Sequence, residues 1–233
     1  MNAQSTGKTK SQRTALEWMA RGLGILVGFF SFEHGLLEAL QGNTGPVEGP
    51  VGFDIKLLGF GYVIEAIGQD WKFWSGAREP AFTLVPNYLI TGIAAMVIGI
   101  IMVLWVLFMM DSKFGVPGFA GLTVLSFLFG GGFAPVFTSI YTITCALLQN
   151  KEHRWWKAHI PLKTAQTIGK VWPWLFGFIL LFSFMAVSTA VFGYPFVWVL
   201  PDTVVGKLLM WIGNANSLLT IICILAGIVR DTL

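Results

Sequence analysis

The sequence predicts an all-α polytopic membrane bundle with four full crossings and a glycine-broken re-entrant hairpin. Three observations predict it. Charged residues make up only 12% of the 233 and hydrophobic residues 55%, whereas soluble domains carry about 25% charge. Several stretches exceed the 18 or so apolar residues that a crossing helix needs. Within the apolar stretch 116–149 lies the run Phe129-Gly130-Gly131-Gly132-Phe133-Ala134-Pro135. Glycine loosens a helix and proline deletes a backbone donor, and a backbone break at membrane depth survives only where protein or a watery cavity covers it.

In chain order, residues 1–14 are polar and read as a disordered tail. Basic residues and an apolar run then suggest a signal peptide, but Glu33, His34 and Glu38 follow where a small-residue cleavage site belongs. The segment is therefore read as a retained first membrane helix, about 16–40. Residues 42–85 read as one long extracytoplasmic loop with turns at Gly45-Pro46 and Gly49-Pro50. Within it, 55–68 is apolar but carries Lys56 and Glu65 and is too short to span comfortably, so it reads as interfacial or re-entrant. Trp71, Phe73 and Trp74 suit a headgroup boundary.

Asn87 is a plausible N-cap for a charge-free helix over 88–110. As one straight helix, 116–149 would run about 50 Å, too long for a core of about 30 Å. Two half-helices, about 117–129 and 135–149, fit better. The segment 150–172 is basic and aromatic and reads as a cytoplasmic loop, with Trp155 and Trp156 as its membrane-surface anchor. Pro173 is expected to open a helix over 174–192. The last helix, about 204–229, carries Gly213, Ser217, Thr220 and Gly227 on one side, a packing face through which a homo-oligomer or a membrane-complex partner would bind.

Charge placement bears on the central break. If the chain enters at the glycines and returns, with both termini cytoplasmic, eleven of the fifteen Lys and Arg lie on the cytoplasmic side. A rival keeps a single crossing at 116–149 and makes 55–68 a membrane helix, with a similar charge balance. Burying Lys56 and Glu65 counts against it.

The sharpest chemical constellation is Glu33, His34 and Glu38. His34 and Glu38 are four apart and share a helix face. Ionisable groups in a membrane helix must face protein, water or one another, so the group reads either as a proton or cation site or as a neutral hydrogen-bonded cluster near the boundary. The second constellation is the break itself: Gly130, Gly131, Gly132 and Pro135 could line a pocket, as broken helices do in transporters, or could merely allow close packing.

No metal and no cofactor is expected. His153 and His159 fall on the opposite side from His34, Cys145 and Cys223 lack ligand spacing, and only one histidine sits at membrane depth. No basic block with interleaved aromatics points to nucleic acid, so the lipid bilayer is the expected partner.

Glu33-His34-Gly35, Pro86-Asn87, the triple-glycine break, and Trp155-Trp156 ahead of Trp172-Pro173-Trp174 together resemble a family of small prokaryotic multi-pass membrane proteins, usually labelled hypothetical. The resemblance implies a shared fold and a loop rather than a crossing in the first long connection. It carries no activity and no site residues. The expected function is a small transporter, channel or accessory permease subunit with a polar site near the first helix. The alternatives are a membrane-embedded redox or lipid-modifying enzyme using Glu33, His34 and Glu38, and a structural subunit of a membrane complex.

Overall fold

A computed structural model describes residues 13–45, 61–66 and 79–233. Most of the polar tail, the turns at Pro46 and Pro50, and Trp71, Phe73 and Trp74 lie outside these residues. Four helices are long and apolar enough to cross a membrane: α1 (Ala15–Ala39), α2 (Tyr88–Phe108), α6 (Leu162–Phe192) and α7 (Asp202–Arg230). Between α2 and α6 come the shorter α3 (Gly115–Leu128), α4 (Phe133–Leu148) and α5 (Arg154–His159). The protein is an all-α membrane-type bundle.

Helix α1 is the central element, packing against α2, α4, α6 and α7. Thr14 caps its start by accepting from the Glu17 N–H, and Asn87 caps α2 by accepting from the Ile90 N–H. At the closing end of the bundle, the Ala15 and Leu16 N–H groups donate to the Asp231 carboxylate at 2.6 and 3.0 Å. This ties the beginning of α1 to the end of α7. Arg21, buried in α1, donates to the Val106 and Leu107 carbonyls at 3.0 and 3.1 Å and pairs with Asp111. The orphan carbonyls ending α2 are thereby satisfied by a side chain of its neighbour.

Helices α1 and α2 touch backbone to backbone. A Cβ added at Gly35 would stand 2.5 Å from the Gly92 carbonyl oxygen, and one added at Gly99 would stand 2.6 Å from that of Gly28. Small residues on both helices allow this close approach. Replacing Gly35 with Leu is expected to force α1 and α2 apart and to destabilise the detergent-solubilised protein by about 3 kcal/mol or more. Gly177→Leu, where an added Cβ meets nothing within 4 Å, should leave thermal unfolding unchanged. Equal unfolding of the two variants would refute the close-packing account.

The chain reverses at the glycines. Thr123 in α3 donates to Ser139 in α4 at 3.1 Å, although the two are equally far from Gly131 on either side of the break. Gly115 opens α3 beside Trp105, near the end of α2. A Cβ at Gly24, early in α1, would meet Val106 and Thr142 together. Thus α3 starts, and α4 heads back, toward the end of the bundle where α1 begins.

Two features depart from the sequence expectations. The connection 42–85 is not plain loop: Tyr62–Glu65 (β1) pairs antiparallel with Pro80–Thr83 (β2), Tyr62 opposite Thr83 and Glu65 opposite Pro80. In its described part, 61–66, the apolar run 55–68 is this strand and its close; residues 55–60 and 67–68 lie outside the described residues. The strand's β-branched and aromatic residues pair rather than span. In addition, Pro173 does not open a helix; it lies inside α6, which starts at Leu162 within the expected basic loop. Trp172 and Phe176 stack across it at 5.3 Å and pack into the core. Tertiary packing offsets the hydrogen bond that the proline removes.

Candidate functional site

The site begins with the unwound segment between α3 and α4. Its backbone groups need partners, because a break buried in a bundle cannot rely on water. Strand β2 supplies them. Thr83 bridges to Phe129, the Gly130 N–H donates to the Phe82 carbonyl, and the Leu84 N–H donates to the Leu128 carbonyl, both at 2.9 Å. Phe82 stacks on Phe127 at 5.0 Å. The Gly131 N–H turns back to the Ser126 carbonyl at 2.8 Å. The strand pair is itself moored to α1, since the Gln41 side-chain amide donates to the Glu65 and Ala66 carbonyls at 3.0 Å.

Mooring the strands brings Glu79, the residue before β2, onto α1. Glu79 Oε2 stands 3.0 Å from His34 Nε2. One ligand-type atom from each of Glu33, His34 and Glu79 lies within 4.8 Å of the others. His34 is 2% exposed, Glu38 0% and Glu79 8%. The other ring nitrogen of His34, Nδ1, is held 3.1 Å from the Phe30 carbonyl. A turn earlier, Ser31 and Ser126 share a hydroxyl–hydroxyl bond of 2.6 Å that ties α1 to α3.

The glycines close over this cluster. Gly130 and Gly132 have φ of +82° and +83°, a region that side chains rarely adopt. A Cβ at Gly132 would lie 2.5 Å from His34 Nε2, and one at Gly130 would strike the Glu38 carboxylate. The two constellations found separately in the sequence are therefore one site: the break is the roof over Glu38 and His34. Pro135 is buried in the first turn of α4, where the Ser139 hydroxyl donates to its carbonyl at 2.8 Å.

Both oxygens of Glu33 and both of Glu38 lack a hydrogen-bond partner among the described residues. Glu79 Oε2 forms an ion pair with His34 Nε2 when the imidazole is protonated. Leaving buried carboxylate oxygens unmatched is costly. What the arrangement offers is a histidine and several carboxylate oxygens converging on one buried spot, able to hold a proton or a metal cation.

The sequence reading missed Glu79. Its signal was a glutamate directly before Pro80, which favours extended backbone and suits a strand's first position. The remaining candidates lie elsewhere. Trp155 is exposed and stacks on His159 at 4.6 Å, while Trp156 packs on the core edge. A cleft of about 420 Å³ opens between α1, α4, α6 and α7, lined in part by Phe30, Ala134, Tyr141, Ser183 and Asn214. Gly213, Ser217 and Thr220 face this cleft, while Gly227 packs beside Trp172. The three glycines of the break and Pro135 are not among its lining residues.

No family model, curated protein or solved structure matches the chain.

Proposed function

We propose that the protein is a small cation transporter or permease subunit of the cell membrane, working through the buried Glu33–His34–Glu38–Glu79 site. One observation carries this reading: a helix break sits directly on a histidine and unmatched carboxylates inside a bundle of membrane-length helices. Broken helices that meet ionisable groups at membrane depth are how transporters build cation sites. In this reading α3 and α4 enter and leave the membrane on the cytoplasmic side, where both termini and the basic α5 region also lie, in keeping with the charge asymmetry.

Reconstituted into liposomes under an imposed potential, the full chain should carry cation flux, read by entrapped pH-sensitive and metal-sensitive dyes. His34→Gln should lower that flux at least tenfold. Flux no greater than that of empty liposomes with every cation tried would sink the transport reading. The topology has its own measurement. Single cysteines placed at Lys113 and Lys151 should react with a membrane-impermeant thiol reagent from the same side, in a background lacking Cys145 and Cys223. Labelling from opposite sides would show a single crossing.

A second reading, a redox or lipid-modifying membrane enzyme, has one observation in its favour. The cleft reaches Phe30, whose carbonyl holds His34, so an apolar substrate could approach within a helical turn of the site. The transport reading accounts for the break as well, and the enzyme reading does not.

A further inference from the structure

We infer that Glu33, His34 and Glu79, with the Glu38 carboxylate buried one helical turn away, bind one divalent first-row transition-metal ion, of the Mn²⁺, Fe²⁺ or Zn²⁺ class. The inference rests on the cation-handling reading and names the ion.

A metal-binding imidazole usually donates its other N–H to a carbonyl or carboxylate, which fixes its tautomer. His34 Nδ1 is placed for this against the Phe30 carbonyl at 3.1 Å. In the neutral imidazole with its proton on Nδ1, Nε2 presents a lone pair toward Glu79 Oε2 at 3.0 Å. A bound dication would take the place that the Nε2 proton of an imidazolium–carboxylate pair otherwise fills. Two ligands at right angles about an ion, each about 2.1 Å from it, would stand about 3 Å apart.

Glu33 completes a set whose ligand atoms lie within 4.8 Å of one another. Trans ligands about one such ion stand roughly 4.2–4.4 Å apart, so only a few tenths of an ångström of closure separate this set from coordination. Glu38 is the independent observation. It is 0% exposed, and neither of its oxygens has a hydrogen-bond partner among the described residues. It lies one helical turn beyond His34 on the same face, under the roof of Gly130. A dication in the cluster would cancel most of the carboxylate charge that is otherwise buried without compensation.

The donor set selects the class. One imidazole with carboxylate oxygens suits Mn²⁺, Fe²⁺ and Zn²⁺; soft Cu(I) asks for sulfur, and Ca²⁺ for a shell of oxygens alone. Cys145 and Cys223 belong to the core cluster around α1 and α4 and are not part of the set.

The test uses the full-length protein in detergent, stripped with chelator and titrated with Mn²⁺, with free ion read by electron paramagnetic resonance. Co²⁺ serves as an optical probe of ligand number. Wild type should bind one equivalent, and a Co²⁺ d–d band should report nitrogen and oxygen ligands. Glu79→Gln should weaken binding at least tenfold, while a double variant, His153→Gln with His159→Gln, should bind as wild type. If Glu79→Gln is not monodisperse, Glu33→Gln is read in the same titration with the same criterion. The inference is overturned if folded wild type binds none of Mn²⁺, Co²⁺ and Zn²⁺, or if the carboxylate variant binds as well as wild type. Proton flux in liposomes without any metal binding would overturn this site while leaving the transport reading intact. Metal binding without flux of any ion would do the opposite.

Discussion

Gly132→Ala should cost the protein its site and much of its stability. Gly132 has φ of +83° and ψ of 164°, a conformation that only glycine populates freely and that costs another residue about 1–3 kcal/mol. The new methyl would also lie 2.5 Å from His34 Nε2, with the ring carbons at 2.7 Å. His34 cannot swing away cheaply, because it is buried, tied to the Phe30 carbonyl and faced by Glu79. Backbone strain and steric overlap add at one point, so a loss of about 4 kcal/mol is expected. In liposomes, flux should fall to background. The contrasting variant is Gly213→Ala, where an added Cβ meets nothing within 4 Å; it should match wild type in thermal unfolding. If Gly132→Ala unfolds with wild type and retains flux, the glycines are not the roof of the site.

Glu38→Met should move stability and function in opposite directions. In chelator-treated protein, removing a carboxylate that has no exposure and no hydrogen-bond partner for either oxygen removes an uncompensated desolvation cost. Replacing buried charge with an apolar side chain of similar volume is often neutral or stabilising by about 1–4 kcal/mol. The variant should therefore unfold at the same temperature as wild type or higher, while cation flux falls at least tenfold. A purely structural role predicts the reverse. If Glu38 anchors the fold through a charged contact, its loss should destabilise by about 3–5 kcal/mol. Thermal unfolding in detergent, read beside flux, separates the two.

In the proposed transport reading, the buried carboxylate–histidine cluster is function rather than architecture. Elsewhere several buried polar groups are matched: Thr83 with Thr91 at 2.6 Å, Thr123 with Ser139, and Arg21 with two carbonyls. Gln149 Oε1, His153 Nε2, Trp172 Nε1 and Asn216 Oδ1 share with the Glu33 and Glu38 carboxylates the lack of a hydrogen-bond partner among the described residues. What sets the carboxylates apart is their charge, which in the proposed reading a cation offsets.

Much of this was legible in the sequence. Charge-free apolar length marked α2, and the Pro86-Asn87 pair marked its start, because hydropathy and capping belong to contiguous residues. The triple glycine marked a break for the same reason, and the four-residue spacing of His34 and Glu38 put them on one helix face. Local rules also misled. Proline chemistry suggested that α6 begins at Pro173, but stacking of Trp172 and Phe176 carries the helix through.

What the sequence determined by itself was the membrane-type helical bundle, the position of its break, and Glu33, His34 and Glu38 as the ionisable residues of the first helix. Only the tertiary structure decided that the break and those residues form one site, and that Glu79 belongs to it. Hydropathy, capping and helical period are read within a dozen neighbouring residues. Glu79 reaches His34 across forty-five positions, through a strand pair that hydrogen-bonds to the unwound glycine backbone and to the end of α1. No local pattern encodes that pairing, because its partners are three separate segments brought together by packing.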